Sequence, residues 1–279
     1  MSGIDTRYHC SGLSAIMARP FRLSFLALLL PLLLAAEDPA RVEYGCPAED
    51  ADKFGLTCSE DEPCDVFLEL ASVEGVGSTI FVVGNLHTLV TTLYSVLLMS
   101  GDGGKTWTEP SPRIEGAALD QVQFPDFQHG WASGVTLEPL ARDPFFLTTA
   151  DGGKTWRRRA LFNETRYGSI QQFWFDSAKS GQLIFEPSQG SYEIYETSTG
   201  GDTWTIQEAG NKTAKLAKAP AKDSATWRVR ADASSKTNRI ERRTARGGWE
   251  IVASFAVRAA ENSPDPRTST SSPPSVAVT

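Results

Sequence analysis

Histidine is scarce in this chain, three among 279 residues, and beyond the N-terminal region only His87 and His129 remain. Neither has a second candidate ligand near it in sequence, whereas a zinc centre needs cysteine and histidine clustered at ligand spacing, so no metal and no cofactor are expected. No serine sits in a Gly-x-Ser-x-Gly elbow, which removes the commonest sequence sign of a serine hydrolase. Gly101 to Thr106 resembles a phosphate-binding loop, but Met99 occupies a place where that loop needs glycine, and Trp107 with a strand pattern follows where a helix is required. After Ala36 no stretch has the apolar spacing of an amphipathic helix. The apolar run from Leu23 to Ala36 has 14 residues and is broken by Pro31, short of the ~20 that cross a bilayer comfortably.

That run reads as an export signal instead. Arg19 and Arg22 precede it, Ala35 and Ala36 close it, and Met17 stands where such a signal begins. Residues 1–36 are therefore expected to be an N-terminal extension with a signal peptide, and the mature protein to be secreted or periplasmic, without stable membrane insertion; an uncleaved anchor is the alternative. Export makes the cysteines interpretable. Cys46, Cys58 and Cys64 fall in one acidic lead segment, 37–65, and an oxidising compartment permits one pair. Cys58 with Cys64 is the simplest pairing, and Cys46 with either is open. The formal net charge of −7 hides an asymmetry, since 37–65 holds ten acids against Arg41 and Lys53, whereas 212–267 holds 13 basic residues against six acids. Those basic residues are dispersed, so no nucleic-acid partner is expected. The last residues, 258–279, are rich in Ser, Thr and Pro and predict a disordered tail.

Between these ends the chain repeats a phrase. Ser100, Asp102, Gly104, Thr106 and Trp107 recur as Thr149, Asp151, Gly153, Thr155 and Trp156, then as Thr197, Thr199, Gly201, Thr203 and Trp204. The tryptophans lie 49 and 48 positions apart, and a worn fourth copy with Gly248 and Trp249 follows 45 later. A period near 48 is that of a four-stranded propeller blade. Each phrase follows an apolar strand, its glycine pair permits a positive-φ turn, and Thr plus Trp opens the returning strand, so each copy predicts a β-hairpin. The Asp102 or Asp151 carboxylate is placed to accept hydrogen bonds from its own turn, with the indole folded back as an apolar anchor. A second register runs alongside: Phe124 and Gly130-Trp131 correspond to Phe175 and Gly181-Gln182, 51 residues on, and Trp227 lies 96 beyond Trp131.

The phrase resembles the Asp-box, or bacterial neuraminidase repeat, of sialidases, sortilin-type receptors and the photosystem II stability/assembly factor group. Copies one and two match every defining place, copy three departs at Thr199, and copy four keeps only its glycines and tryptophan. The resemblance covers roughly Val66 to Phe255 and implies an all-β fold: a β-propeller over 66–257 of about four blades, each a four-stranded antiparallel sheet. It also implies that the boxes are structural turns remote from any active site. A ring this small must protect its edges. The approach from Asp65 to Leu70 is expected to pair with the last strand, Glu250 to Val257, or else two chains complete one ring as a homodimer.

Activity is weighed against binding. The Arg-bearing motif that sialidases carry before their first box is missing, since 66–99 holds no arginine. A sialidase-like glycoside hydrolase would have to draw on loop residues such as Arg142, Arg166 and Glu164. The favoured expectation is a non-catalytic scaffold that binds a protein or a cell-surface glycan through loops of successive blades, with Arg142, Tyr167 and Gln189 as candidate contacts.

Overall fold

The computed structural model describes residues 40–45, 53–54, 66–137, 140–187, 189–211, 214–216, 226–232 and 237–258. The expected signal peptide, the three cysteines of the lead segment and the tail after Arg258, itself the last residue of a strand, lie outside these residues. The elements among them are fifteen β-strands in four sheets. The first sheet is β2 (Phe67–Val76), β3 (Thr79–His87) and β4 (Thr92–Ser100), with a Met99–Thr108 bridge where a fourth strand would run. The second is β5 (Ala117–Gln123), β6 (Gly130–Thr136), β7 (Arg142–Thr149) and β8 (Arg157–Ala160). The third is β9 (Ser169–Phe175), β10 (Gly181–Glu186), β11 (Tyr192–Thr197) and β12 (Thr205–Gly210). In the fourth, β13 (Trp227–Asp232), β14 (Thr237–Arg243) and β15 (Trp249–Arg258) form a meander, and β1 (Ala40–Gly45) adds to β15 in parallel. Every other strand pairing is antiparallel.

The sheets stack face to face like blades, in the order fourth, first, second, third. One core joins fourth to first (Leu70, Val82, Leu98, Trp107, Ile240, Phe255). A second joins first to second (Phe81, Leu97, Val122, Phe124, Phe145) and a third joins second to third (Trp131, Phe146, Phe173, Phe175, Leu183). Among the described residues no core joins third to fourth: these sheets form an open arc, and a ring closed by four blades is not shown. The spacing of Phe124 from Gly130 and of Phe175 from Gly181 now has a cause. Each phenylalanine ring lies on the glycine opposite it, and a Cβ there would sit 2.4 Å from Phe124 Cζ or 2.5 Å from Phe175 Cδ1.

Three expectations are corrected. The partner of the last strand is Ala40–Gly45, inside the lead segment, and not the stretch from Asp65 to Leu70, which enters β2 and packs under the fourth sheet. Gly248 lies in the turn between the second and third strands of its sheet and Trp249 opens that third strand, whereas the other three phrases follow a third strand. Trp227 lies on a first strand and Trp131 on a second, so their spacing of 96 joins unlike places. The fourth sheet is out of register with the other three. Its β13 turns Trp227 onto Gly75, where a Cβ would come within 2.1 Å of the indole Nε1.

Candidate binding surface

The arc has two ends with different chemistry. At one end are the turns between third and fourth strands, where the repeated phrase sits. Asp102 Oδ1 accepts from the amides of Lys105 (3.0 Å) and Thr106 (2.9 Å), and Oδ2 from the Thr106 hydroxyl (2.7 Å). Ser100 Oγ donates to Asp102 Oδ1 and accepts from Gly104 N, both at 2.8 Å, and Trp107 Nε1 donates to Gly104 O at 3.0 Å. Thr149, Asp151, Gly153, Thr155 and Trp156 repeat this pattern nearly bond for bond. Burial would raise the Asp102 carboxyl, but the hydrogen bonds from Thr106, Ser100 and Lys105 outweigh it and hold the group at about 2. Thr155, through its hydroxyl and then its amide, holds Asp151 at about 2 as well. In the third copy the Thr199 hydroxyl does the lesser job, accepting from Thr203 N at 2.9 Å, while Gly201 N donates to Thr197 Oγ1 at 3.0 Å. Each indole also bridges to the preceding sheet: Trp107 meets Phe255 at 5.1 Å, Trp156 meets Phe81 at 6.1 Å, and Trp204 meets Phe146 at 5.8 Å. In the first two copies the bonding capacity of these residues is spent inside the turn, whereas Trp204 Nε1 makes no hydrogen bond among the described residues; in all three the indole packs two sheets together.

At the opposite end of the first three sheets lie the loops that join second to third strands and that lead from one of these sheets to the next. This is where Arg142, Tyr167 and Gln189 fall. Arg142 opens β7 and forms a β-bridge with Tyr167, which belongs to the loop entering β9. Around that bridge Asp143 N donates to Arg166 O (2.8 Å), Arg166 N to Asp143 Oδ1 (3.2 Å) and Gly168 N to Ala141 O (2.9 Å). These bonds hold Asp143 at φ 50°, the one positive φ of a non-glycine residue among those described. Tyr167 is 55% exposed and Leu140 65%, and Arg142 Nε, 3.9 Å from Asp143 Oδ2, makes no hydrogen bond. Gln189 is exposed on the β10–β11 loop of the neighbouring sheet, and Leu89 and Val90 stand exposed at the same end of the first sheet.

Arg166 takes another part. Its Nη1 donates to the Tyr195 hydroxyl (2.7 Å) and its Nη2 to Glu193 Oε1 (2.6 Å), while the Tyr195 hydroxyl donates to Glu193 Oε2 (2.6 Å). The guanidinium lies over the Phe162 and Phe185 rings. Burial pushes the Glu193 carboxyl up, but the bonds from Arg166 and Tyr195 bring it below its ordinary value, while burial first and then Glu193 raise Tyr195. Arg166 is thereby a strut under the loop, and Glu164 stays exposed on it. Sequence reasoning missed this role, because Glu193 and Tyr195 carry no motif and meet Arg166 only when β11 packs under the β8–β9 loop. Among the described residues no group of three acidic, histidine or cysteine side chains could hold a metal ion.

No protein-family model matches the chain, and no curated protein is similar to it in sequence. Solved structures are similar in fold. YCF48 bound to D1 peptide is 20% identical with a TM-score of 0.37 over 55% of this chain and 46% of that one, so the chain spans about half of that protein. The GH74 enzyme of Niastella koreensis is 19% identical with a TM-score of 0.35 over 55% of this chain and 23% of its own. The catalytic domain of the Coprinopsis cinerea GH62 α-L-arabinofuranosidase is 12% identical with a TM-score of 0.36 over 70% and 65%. Glycoside hydrolases stand among these structures beside YCF48, which overturns the sequence-based expectation that the chain is not an enzyme; likeness of fold does not decide the matter.

Proposed function

We propose that the chain is an exported propeller-type scaffold that holds an extended segment of another protein across the loop end of its second and third sheets. The observation that supports this reading is the Arg142–Tyr167 bridge. It joins two sheets where a large aromatic ring and Leu140 stand in solvent beside a guanidinium. Tyr and Arg are enriched where proteins meet, and exposed large apolar side chains gathered at one end mark such contacts. Such a partner offers an apolar side chain to Tyr167 and Leu140, a carboxylate to Arg142, and backbone groups to Gln189. The repeated turns at the other end bear on this site only by holding the blades.

Panning a random peptide library on the full chain tests the proposal. Enriched peptides should carry an acidic residue near an apolar one, and Arg142→Ala combined with Tyr167→Ala should weaken them by about tenfold or more, as losing a charged and an aromatic contact implies. Peptides that bind the double variant as tightly as the parent, or enrichment only of glycans on an array run in parallel, would overturn it.

A further inference from the structure

The three faces shared by neighbouring sheets are built alike and in one direction. From the fourth sheet, Asn238 Nδ2 donates to Leu68 O on the innermost strand of the first (2.5 Å). From the first, Asn85 Oδ1 and Ser72 Oγ accept from Leu119 N (2.8 Å) and Val122 N (3.4 Å) on the innermost strand of the second. From the second, the Gln121 and Gln123 amides each bond both the N–H and the C=O of Phe173 and Phe175 on the innermost strand of the third. An innermost strand has no ladder partner on one side, and each time the preceding sheet supplies one. Two faces stand outside this relay among the described residues: the outgoing face of the third sheet and the incoming face of the fourth.

These two faces are complementary. Phe173 and Phe175 point into the core shared with the second sheet, so Gln172 and Trp174, alternating with them, point outward. Gln172 holds the place on β9 that Gln121 holds on β5. Beside it Glu196, which accepts from Gln182, and the exposed Glu208 give this face a negative charge. On the fourth sheet Trp227, Val229 and Ile240 pack toward the first, so Arg228, Arg230 and Arg239 present a basic face to the gap. Glu241 answers Arg228 and Asp232 answers Arg239, while Arg230 is left opposite Arg239.

We propose that a second copy of this chain fills the gap. The third sheet of each copy docks on the fourth sheet of the other, and Gln172 meets the open edge of β13. Two identical head-to-tail contacts about a two-fold axis close a ring of eight sheets, the upper end of the usual propeller range of about 4 to 8. This does not depend on what the loop end binds.

Light scattering on the full chain tests it, with two variants, E196K and R230E. The wild type should run at twice the mass of one chain. Each variant alone should run as a monomer, because Lys then faces Arg, or Glu faces Glu, at both contacts, and each should keep the wild-type circular dichroism. An equimolar mixture of the two should recover the dimer, since both of its contacts pair opposite charges. A monomeric wild type, a dimer that neither reversal disturbs, a mixture that stays monomeric while both variants are folded, or open-ended larger assemblies would each overturn the proposal.

Discussion

The Gln123 side chain and the Phe175 backbone form a closed pair across two sheets: Nε2 donates to Phe175 O at 2.7 Å, and Phe175 N donates back to Oε1 at 2.8 Å. Gln123 is 4% exposed, so neither group has water as a substitute. Replacing Gln123 by Leu strands a buried N–H and a buried C=O, at about 1 to 3 kcal/mol apiece. Denaturant unfolding should show a loss of that size, whereas Gln171→Leu, at the exposed bulge of β9, should leave the midpoint where it is.

Gly153 is held by both conformation and space. Its φ is 82°, and a Cβ would lie 2.2 Å from Phe81 Cε1 in the preceding sheet. Gly153→Ala should therefore lower the melting temperature well beyond the effect of the same change at Gly103, where φ is 76° but nothing lies within 4 Å. Equal losses at the two sites would show that the turn alone, and not its seat against Phe81, sets the requirement.

The repeat tryptophans should differ in weight. Trp107 is 2% exposed and seated on Phe255, whereas Trp156 and Trp204 are half-buried. Trp107→Ala should cost about 3 to 5 kcal/mol, the range for a large buried aromatic, and Trp156→Ala less. The repeat alone predicts three equivalent anchors. The structure ranks them, because Trp107 alone packs at the junction where the chain's last sheet meets its first.

Stability should respond to pH in two windows. Burial raises the Glu74 carboxyl from 4.5 to about 7, so the fold binds this proton more tightly than the unfolded chain does. Its contribution is complete below pH 4.5 and is lost as pH rises through 7. Glu74→Gln should flatten that slope and raise the melting temperature at alkaline pH. Asp102 and Asp151 act in the opposite sense: lowered from 3.8 to about 2, they stabilise above pH 3.8, and that support goes as pH falls toward 2. Asp151→Asn should shrink the acid-side loss, and a melting curve unchanged by both substitutions would contradict the assignment.

How much of this was legible in the sequence depends on range. The turn chemistry of Asp102 and Asp151 is local, fixed by residues within four positions, and the strand before each turn is a short apolar run. The Phe124 and Gly130 spacing is likewise one hairpin long. What escaped was long-range. Ala40–Gly45 carries no strand signal that names β15 as its partner, and the Arg166, Glu193 and Tyr195 cluster spans 29 residues across a packing contact. The open side of the arc was hidden because a count of four phrases implies four equivalent blades. Trp249 and Trp227 occupy places unlike those of the tryptophans they echo.

The open arc is tested most directly by distances between spin labels at Val90, Gln189 and Arg246, carried on introduced ketone side chains in a chain diluted with unlabelled protein. All three positions lie on loops between second and third strands, of the first, third and fourth sheets. The account predicts that Arg246 lies nearer to Val90 than to Gln189, because the fourth sheet packs on the first and shares no core with the third. Equal distances from Arg246 to the other two would describe a ring closed by four blades within one chain, and would contradict it.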